Sequence, residues 1–443
     1  MRHITWLLFA SVFACTTPKS NQEPSMQVAG DITPLMELPL LSMEKDSLYD
    51  KVLGMLVGSA IGDAMGAPTE MWSRYNIQVE YGHIDGLDPM VREPSPEGTW
   101  DFNLPAGGTT DDTRWKLLLS DYLLLQGDVL YRQEGANPYT FAQFIVRRYK
   151  SEIQQLKQTD SFNPIPFEDQ ARRMAWLQEW AMVAKPFAEK DLEAYSEAVN
   201  RFYGGEMTCA GMLYSPMLGL VYPGNPELAY QSGYRLGFFD LGYARDITAL
   251  TATLVAAAMD PSATPETMVN SLRDTDPKHY FNSRLVGRAS YRIYREALYL
   301  THEAKSMTED QVDPSTLQLP LSGRTPLRVA QIQRAYELLD NKNQDMPFHA
   351  GEIHLINLSA LLFCNFEFLP ALEFVINYGR DNDTVGAITG SILGAYHGYA
   401  QLPPTLSQKA LKVNKEKLGI DLEKMAGELT EMMVENGIII PLP

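Results

Sequence analysis

Apolar residues recur three or four positions apart along most of this chain from Asp46 onward, the spacing of helices with one buried face. Sustained alternation of apolar and polar residues, which is typical of half-buried strands, is scarce. We therefore predict a mainly α-helical domain over residues 46–443, without a long linker inside it. The predicted helices cover residues 46–66, 111–126, 139–157, 168–184, 189–201, 226–240, 245–258, 281–304, 325–340, 350–363, 383–400 and 422–436, with turns at 163–166 and 223–226 among the breaks.

Two of the predicted helices carry a glycine at every fourth position. An interior glycine costs about 1 kcal/mol relative to alanine, so several in one helix need a compensating gain. Close approach of another helix along the ridge that they form supplies one. A membrane dimer of the GxxxG type is the alternative, but Asp63 inside the first helix and His397 inside the second argue against it. The glycines are Gly54, Gly58, Gly62 and Gly66 in the first helix, and Gly386, Gly390, Gly394 and Gly398 in the second.

The first fifteen residues resemble a secretory signal, with a positive charge at Arg2 and an apolar stretch over 4–14 that is too short to span a bilayer. The run Val12-Phe13-Ala14-Cys15 resembles a bacterial lipobox, whose cysteine is lipidated. An ordinary signal with a chance cysteine is the alternative. Residues 16–45 are rich in Thr, Pro, Ser, Asn, Gln and Glu, as expected of a flexible tether. The sequence thus predicts a monomeric extracytoplasmic lipoprotein that touches the membrane only through its anchor.

The charge balance narrows the choice of partners. The chain has 443 residues, of which 55 are acidic and 37 basic, for a formal net charge of −18. Such a surface repels a nucleic-acid backbone on average, so we expect no nucleic-acid partner. The cysteines, Cys15, Cys209 and Cys364, lack the close spacing of a zinc knuckle or a redox pair. We expect Cys209 and Cys364 to be free core thiols, and a disulfide between them stays open.

Three acidic, oxygen-rich segments stand at the ends of predicted helices: residues 62–70, 107–113 and 379–384. Taken singly, a Thr-Asp-Asp or Asp-x-Asp-Thr run before an apolar stretch is usually a helix cap. The chain contains two such runs, each preceded by glycine, and one begins a glycine-ridged helix. That combination favours a shared cation over two unrelated caps.

The candidate ligands from these segments are all oxygen donors. Four carboxylates that meet in one place cannot ionise together without a compensating positive charge. Hard divalent ions fit such a set, Mg²⁺ or Mn²⁺ before Ca²⁺. No HExxH motif offers a zinc site, and no GxSxG motif offers a serine nucleophile. The candidates are the carboxylates of Asp111, Asp112, Asp381 and Asp383 and the hydroxyls of Thr110 and Thr384.

Other residue types in the chain have ordinary explanations. His397 is expected to be a packed histidine rather than a ligand. Aromatic residues follow the first acidic segment, where they either pack a long loop or stack on a base or sugar. They are Tyr75, Tyr81, Trp100 and Phe102.

Taken in order, the acidic motifs resemble the ADP-ribosylglycohydrolase family. They are Gly58-x-x-x-Gly62-Asp63-Ala64-x-Gly66-x-Pro68-x-Glu70, Thr110-Asp111-Asp112-Thr113, and Asp381-x-Asp383-Thr384 with the Gly/Ala-rich helix after it. The resemblance spans most of residues 50–400. It implies a compact, all-α, single-domain orthogonal helix bundle. It also implies two Mg²⁺ or Mn²⁺ ions and cleavage of the glycosidic bond that joins ADP-ribose to a protein side chain or a small acceptor.

By the same resemblance, the metal ligands are Thr110, Asp111, Asp112, Asp381, Asp383 and Thr384, and Glu70 lies beside the second metal. Glu70, Asp112 and Asp381 are the catalytic candidates, and the sequence does not decide which is the general base. We expect the metal site between the helices that begin near Asp112 and Asp383.

The chain departs from the family pattern at three places. A glycine-rich stretch that normally ends in Met-Arg corresponds here to residues 204–216, and its arginine is absent. A Thr-His pair is replaced by Phe238-Phe239-Asp240 or a near neighbour, and Arg380 stands where a glycine is usual. These positions line the pocket in the family, so the chemistry can persist with a different leaving group or nucleotide part.

Three other functions compete with an ADP-ribose hydrolase. One is a hydrolase of a different nucleoside or glycoside. Another is a ligand-binding lipoprotein of the same fold that has lost turnover. A third is a structural helical domain whose acidic residues only cap helices.

Overall fold

The computed structural model describes residues 41–91, 103–131, 135–159 and 164–440, and α-helices make up most of them. The predicted all-α class is confirmed. The predicted signal segment with Cys15, most of the predicted tether, and Trp100 and Phe102 lie outside the described residues. In the described part the helices are α1 Lys45–Gly66, α2 Arg74–Tyr81, α3 Asp111–Gln126, α4 Pro138–Gln158, α5 Pro164–Glu189, α6 Leu192–Arg201, α7 Pro216–Leu220, α8 Pro226–Leu236, α9 Ala244–Met259, α10 Pro265–Asp274, α11 Ala289–Lys305, α12 Pro326–Asp340, α13 Ala350–Phe363, α14 Phe368–Tyr378, α15 Asn382–His397, α16 Pro404–Val413 and α17 Leu422–Glu435.

The described strands have two residues each, and two of the three pairs join segments that are distant in sequence. They are β1 Leu41–Ser42, β2 Trp72–Ser73, β3 Met90–Val91, β4 Asn103–Leu104, β5 Gly379–Arg380 and β6 Ile439–Ile440. β1 pairs with β6 in parallel, whereas β2 with β5 and β3 with β4 pair antiparallel. Each pair fastens two loops or chain segments together.

Four helices, α1, α9, α13 and α15, are buried around most of their circumference and form the centre of the fold. A helix that is apolar on every side is stable only when other elements surround it. Amphipathic helices such as α4, α6, α10 and α17 supply that outer layer, because their buried residues keep to one side.

The glycine ridges of α1 and α15 pack against each other, so the predicted tight packing is confirmed and its partner is identified. The two helices run antiparallel, with Gly54 opposite Gly394 and Gly62 opposite Gly386. A Cβ placed on Gly62 would lie 1.9 Å from the carbonyl oxygen of Gly386. The ridge continues to Gly66, where a Cβ would lie 2.3 Å from Cα of Asp383. This seam brings the end of the first acidic segment to the start of the third.

Several predicted boundaries were wrong for local reasons. The helix predicted over 281–304 begins at Ala289, because Gly287 has a positive φ of 65° and Arg288 occupies the N-cap. The helix predicted over 226–240 ends at Leu236, where Gly237 follows as C-cap. The turn predicted at 163–166 is wrong for its described part, since α5 begins at Pro164, and proline fits the first turn of a helix.

Five helices of the described chain were not predicted: α2, α7, α10, α14 and α16. α7 has five residues and α2 eight, too few to show a clear periodicity. α14 is apolar almost throughout and carries a proline in its first turn, which resembles a break. Only the surrounding helices reveal it as a buried element.

Cys209 and Cys364 are both buried and free, as predicted. The imidazole Nε2 of His397 lies 2.7 Å from the carbonyl oxygen of Phe366, which confirms a packed histidine. Among the described residues, no helix combines the length and the apolar character that crossing a bilayer requires.

Candidate metal centre

Acidic side chains from the early and the late parts of the chain meet at one end of the α1–α15 seam. Asp63 lies near the end of α1, and Glu70 follows the short 3₁₀ turn after it. Asp112 lies in the first turn of α3, whereas Asp381 precedes α15 and Asp383 lies in its first turn. These five residues are at most 7% exposed, and Asp111 is half-buried. Burial of so many carboxylates requires a compensating interaction.

Hydroxyl groups link the two acidic motifs directly. The Thr384 hydroxyl lies 3.0 Å from Oδ2 of Asp112, and the Thr110 hydroxyl lies 3.2 Å from Oδ2 of Asp383. The N-terminus of α3 therefore faces the N-terminus of α15, where the sequence predicted the metal site. Both helix dipoles place partial positive charge at this junction, which favours the carboxylates.

Three carboxylates come closest together. Glu70, Asp381 and Asp383 each offer an oxygen, and these oxygens all lie within 4.8 Å of one another. Asp111 and Asp112 stand outside this trio. Asp112 is joined to it through Thr384, and the pKa of Asp111 is raised first by burial and then by the charges of Asp63 and Asp381. The predicted set thus divides into a close trio and an adjoining pair on α3.

Asp63 is a buried acceptor of four hydrogen bonds, and the sequence did not predict it as a site residue. It accepts hydrogen bonds from the amide and hydroxyl of Thr110, both at 2.9 Å, and from those of Thr113, at 3.1 and 2.6 Å. A carboxylate from α1 therefore binds the first-turn amides of α3. The available signal was an acid inside an otherwise apolar helix, which is rarely buried without a specific partner.

The acidic motifs do not act as ordinary helix caps. Thr110 and Asp381 occupy the N-cap positions of α3 and α15, and neither side chain makes a capping hydrogen bond to its own helix. Oδ1 of Asp112 and Oδ1 of Asp383 are buried and have no hydrogen-bond partner among the described residues. An unsatisfied buried carboxylate oxygen is costly. A hard cation fits these orphaned oxygens and the all-oxygen donor set around them.

Burial dominates the electrostatics of the cluster. It raises the pKa of Asp111 to about 7 and holds the pKa values of Asp112 and Asp383 well above the usual range, with neighbouring acids adding to the effect. One buried cation, Lys116, offsets part of this charge, and its ammonium lies 3.8 Å from Oδ1 of Asp112. Burial without a compensating cation therefore favours the protonated form of these carboxyl groups.

A two-residue strand pair connects the first and third acidic segments. The amide of Met71 donates to the carbonyl of Arg380 at 2.7 Å, and Trp72 pairs with Arg380 in register. Arg380 has a φ of +68°, in the left-handed region that favours glycine. That conformation accounts for the glycine usual at this position of the family.

The glycine-rich stretch borders the acidic trio through Cys209, whose sulfur lies 3.8 Å from Oδ2 of Asp381. The backbone of this stretch is bridged to the start of α13 by Thr208 and His349. The prediction that Phe238 and Phe239 line a pocket is wrong, since both are at most 1% exposed in an aromatic core. Asp240 supports the stretch instead, by accepting the Gly211 amide at 2.9 Å.

The aromatic residue beside the acids is one that the sequence reasoning missed. Tyr203 is 38% exposed, contacts Phe348 with ring centroids 5.8 Å apart, and has its pKa raised by burial and by the charge of Asp111. Of the predicted aromatic residues, Tyr75 is 71% exposed and Tyr81 packs edge-on against Trp72. Tyr203 is therefore the better candidate for contact with a substrate.

Two curated proteins match short parts of the chain. An uncharacterised protein of Escherichia coli, YegU, is 40% identical over 75 residues, which are 17% of this chain and 21% of that protein. The ADP-ribosyl-dinitrogen reductase glycohydrolase of Rhodospirillum rubrum is 33% identical over 85 residues, which are 19% of this chain and 26% of that protein. The matched part thus spans about a fifth to a quarter of these relatives.

The wider comparisons cover nearly the whole described domain. A solved structure described as an ADP-ribosylglycohydrolase-related protein complex matches 88% of this chain and 99% of its own, with a TM-score of 0.51 and 18% identity. At that identity the match supports the fold alone. The sequence pattern of the ADP-ribosylglycohydrolase family matches residues 44–438. The chain therefore belongs to the ADP-ribosylglycohydrolase family.

Proposed function

We propose that the protein is a metal-dependent hydrolase of a glycosidic bond to ADP-ribose or a related ribosyl compound. The observation that carries the proposal is the pair of orphaned, buried carboxylate oxygens on Asp112 and Asp383 where α3 meets α15. Family membership and the relative named as a glycohydrolase support the reaction class.

The proposed cofactors are two Mg²⁺ or Mn²⁺ ions. When bound, such ions supply positive charge that orients sugar hydroxyls and lowers the pKa of a coordinated water. The oxygen donors fit this choice because hard divalent ions prefer carboxylate and hydroxyl oxygens. The residues proposed to hold the ions are Thr110, Asp111, Asp112, Asp381, Asp383 and Thr384.

The protein's own groups would move the proton. Hydrolysis of a ribosyl bond passes through an oxocarbenium-like state and needs a base to take a proton from water. Glu70, Asp112 and Asp381 are the candidates, and burial raises the pKa of Asp112 and of Asp381. A raised pKa makes a carboxylate a stronger base toward that water. The Thr384 hydroxyl donates to Oδ2 of Asp112, whereas Oδ1 has no hydrogen-bond partner among the described residues.

The leaving group is proposed to differ from that of a typical family member. The stretch over 204–216 lacks the usual arginine, while Cys209 and Tyr203 border the acids. A site with fewer cations and an exposed aromatic ring favours an acceptor of lower negative charge.

We also propose that the protein works outside the cytoplasm as a monomer, held to a bacterial membrane through lipid on Cys15. The lipobox-like run and the tether-like composition of residues 16–45 support this location. Metabolic labelling with a fatty-acid analogue in a bacterial host tests it. Incorporation that disappears in Cys15→Ala is expected, and labelling that persists in that variant would rule out this anchor.

Turnover tests the catalytic proposal. The purified protein is incubated with ADP-ribosylated peptide, O-acetyl-ADP-ribose and simple ribosides, with Mg²⁺ or after chelation. Release of ribosyl product is expected with Mg²⁺ only, and its loss in Asp383→Ala is expected. Asp274→Ala is the matched control, since Asp274 is an exposed acid paired with Arg273. Equal activity in Asp383→Ala and Asp274→Ala would refute the site, and binding without turnover would indicate a ligand-binding protein.

A further inference from the structure

Arg380 holds a backbone conformation that its residue type disfavours. Its φ of +68° follows Gly379 at +86°, directly before Asp381 of the acidic trio. A residue with a Cβ rarely adopts this region, and such strain persists only where the surroundings enforce it.

Glu352, the third residue of α13, holds the Arg380 side chain in place. The guanidinium donates to both carboxylate oxygens of Glu352, at 2.7 and 3.0 Å, and to the carbonyl of Gln344 at 2.7 Å. Glu352 also accepts the amide of Gln344 at 2.6 Å, and its side chain is 2% exposed. This two-pronged, mostly buried pair is geometrically specific, unlike a mobile surface ion pair.

The backbone of Arg380 transmits this constraint to the acids on both sides. Its carbonyl accepts the amide of Met71, which directly follows Glu70, and its own next residue is Asp381. The peptide orientation at Arg380 therefore sets how Glu70 approaches Asp381. Met71 also has a positive φ, of 63°, so both sides of this contact are conformationally restrained.

We propose that Arg380 and Glu352 are positioning residues for the metal centre, which keep Asp381 and Glu70 at the separation that a divalent ion requires. Neither residue belongs to the acidic trio. The proposal rests on the proposed function in one respect, that Asp381 binds a divalent cation. Residues that orient metal ligands affect metal affinity about 10- to 100-fold when they are replaced.

Titration calorimetry with Mn²⁺ and Mg²⁺ on the full chain tests the pair. Glu352→Gln is expected to weaken binding about 10-fold or more, because one carboxylate contact of the guanidinium is lost and the strained backbone is released. Arg380→Gly combined with Glu352→Gln is expected to restore binding to within about threefold of wild type, because glycine adopts a positive φ without strain. Glu303→Gln is the matched control, since it breaks a peripheral pair with Arg334 at 3.1 Å and is expected to leave metal affinity unchanged.

A readout that needs no metal separates this proposal from the proposed function. Alkylation of cysteines by iodoacetamide is followed peptide by peptide, comparing Cys209, which contacts Asp381, with the equally buried Cys364. Glu352→Gln is expected to accelerate modification of Cys209 severalfold over that of Cys364.

Unchanged metal affinity and unchanged Cys209 reactivity in Glu352→Gln would overturn the positioning role. A double variant that binds as weakly as Glu352→Gln alone would overturn the argument from backbone strain. If the wild-type protein binds no divalent ion, the proposed function fails, and the alkylation rates alone decide the role of the pair.

Discussion

Replacing Gly62 by alanine should separate the two central helices. The new Cβ would lie 1.9 Å from the carbonyl oxygen and 2.2 Å from the carbonyl carbon of Gly386. Both are backbone atoms in the middle of α15, so no side chain can swing away. The new Cβ and the Gly386 carbonyl oxygen must move from 1.9 Å to the ordinary contact distance of 3.4 Å, so the two helices must separate locally by 1.5 Å.

The cost of that shift outweighs the helical preference of alanine. Alanine is favoured over glycine inside a helix by about 1 kcal/mol. Inserting an extra carbon into a well-packed core usually lowers stability by about 1–3 kcal/mol. Because the new Cβ meets backbone rather than a side chain that can move, we expect a cost at the upper end of this range or above it. We expect Gly62→Ala to lose about 2 kcal/mol or more of stability. The shift also moves Asp63 and Asp383, so a weaker divalent affinity should accompany it.

Gly427→Ala provides the matched comparison. Gly427 lies inside α17, and a Cβ there would meet nothing within 4 Å. The same substitution should raise the melting temperature at this position and lower it at Gly62, both measured by differential scanning calorimetry without metal and with Mg²⁺. If Gly62→Ala melts at or above Gly427→Ala, the helices are not in backbone contact and the reasoning is wrong.

Three further predictions concern charge. Burial raises the pKa of Asp111 to about 7, so its contribution to the stability of the metal-free protein is largest at acidic pH and is lost as the pH rises through 7. The rise in melting temperature that Mg²⁺ causes should therefore grow from pH 5.5 to 8 in thermal scans. A rise of the same size at every pH would contradict this prediction. Lys116→Met removes the buried cation beside Asp112, so calorimetry should show tighter Mg²⁺ binding, and weaker binding would mean that Lys116 supports the ligands instead. Arg288→Met leaves the carboxylate of Asp246 buried without its paired cation, which should cost about 3–5 kcal/mol in stability while Mg²⁺ affinity of the folded protein stays the same.

The sequence predicted most where a pattern extends over many residues. The glycine spacing of α1 and α15 indicated close packing, and the three acidic motifs indicated a shared junction. The glycine spacing repeats along each helix, and each acidic motif is a contiguous run, so both signals can be read from neighbouring residues. The all-α fold class could be predicted because apolar residues recur at helical spacing along most of the chain.

What could not be predicted depends on partners far away in the chain. Asp63 acts through the amides of Thr110 and Thr113, whose direction is set only when α1 and α3 pack together. Arg380, in β5, can keep its strained conformation because Glu352 of α13 accepts hydrogen bonds from its guanidinium. No local pattern marks either relationship.

The aromatic residue near the acids illustrates the same limit. Tyr203 has a left-handed backbone, and Glu179 accepts its amide at 3.1 Å. The sequence directed attention to aromatic residues adjacent to the first acidic motif, whereas three-dimensional packing brings one from the end of α6. Proximity along the chain was a poor guide for a residue in a loop.

The parallel pairing of β1 with β6 has a practical consequence for protein engineering. Leu41 pairs with Ile439, and the Met43 amide donates to the carbonyl of Ile440 at 3.0 Å. A circular permutant that joins Ile440 to Leu41 by a linker long enough to turn back across this parallel pair, and that opens the chain at the exposed Gly323, should therefore fold. A reporter fused directly after Ile440 would emerge beside the point where the polypeptide enters the helical domain, which makes a spacer advisable there.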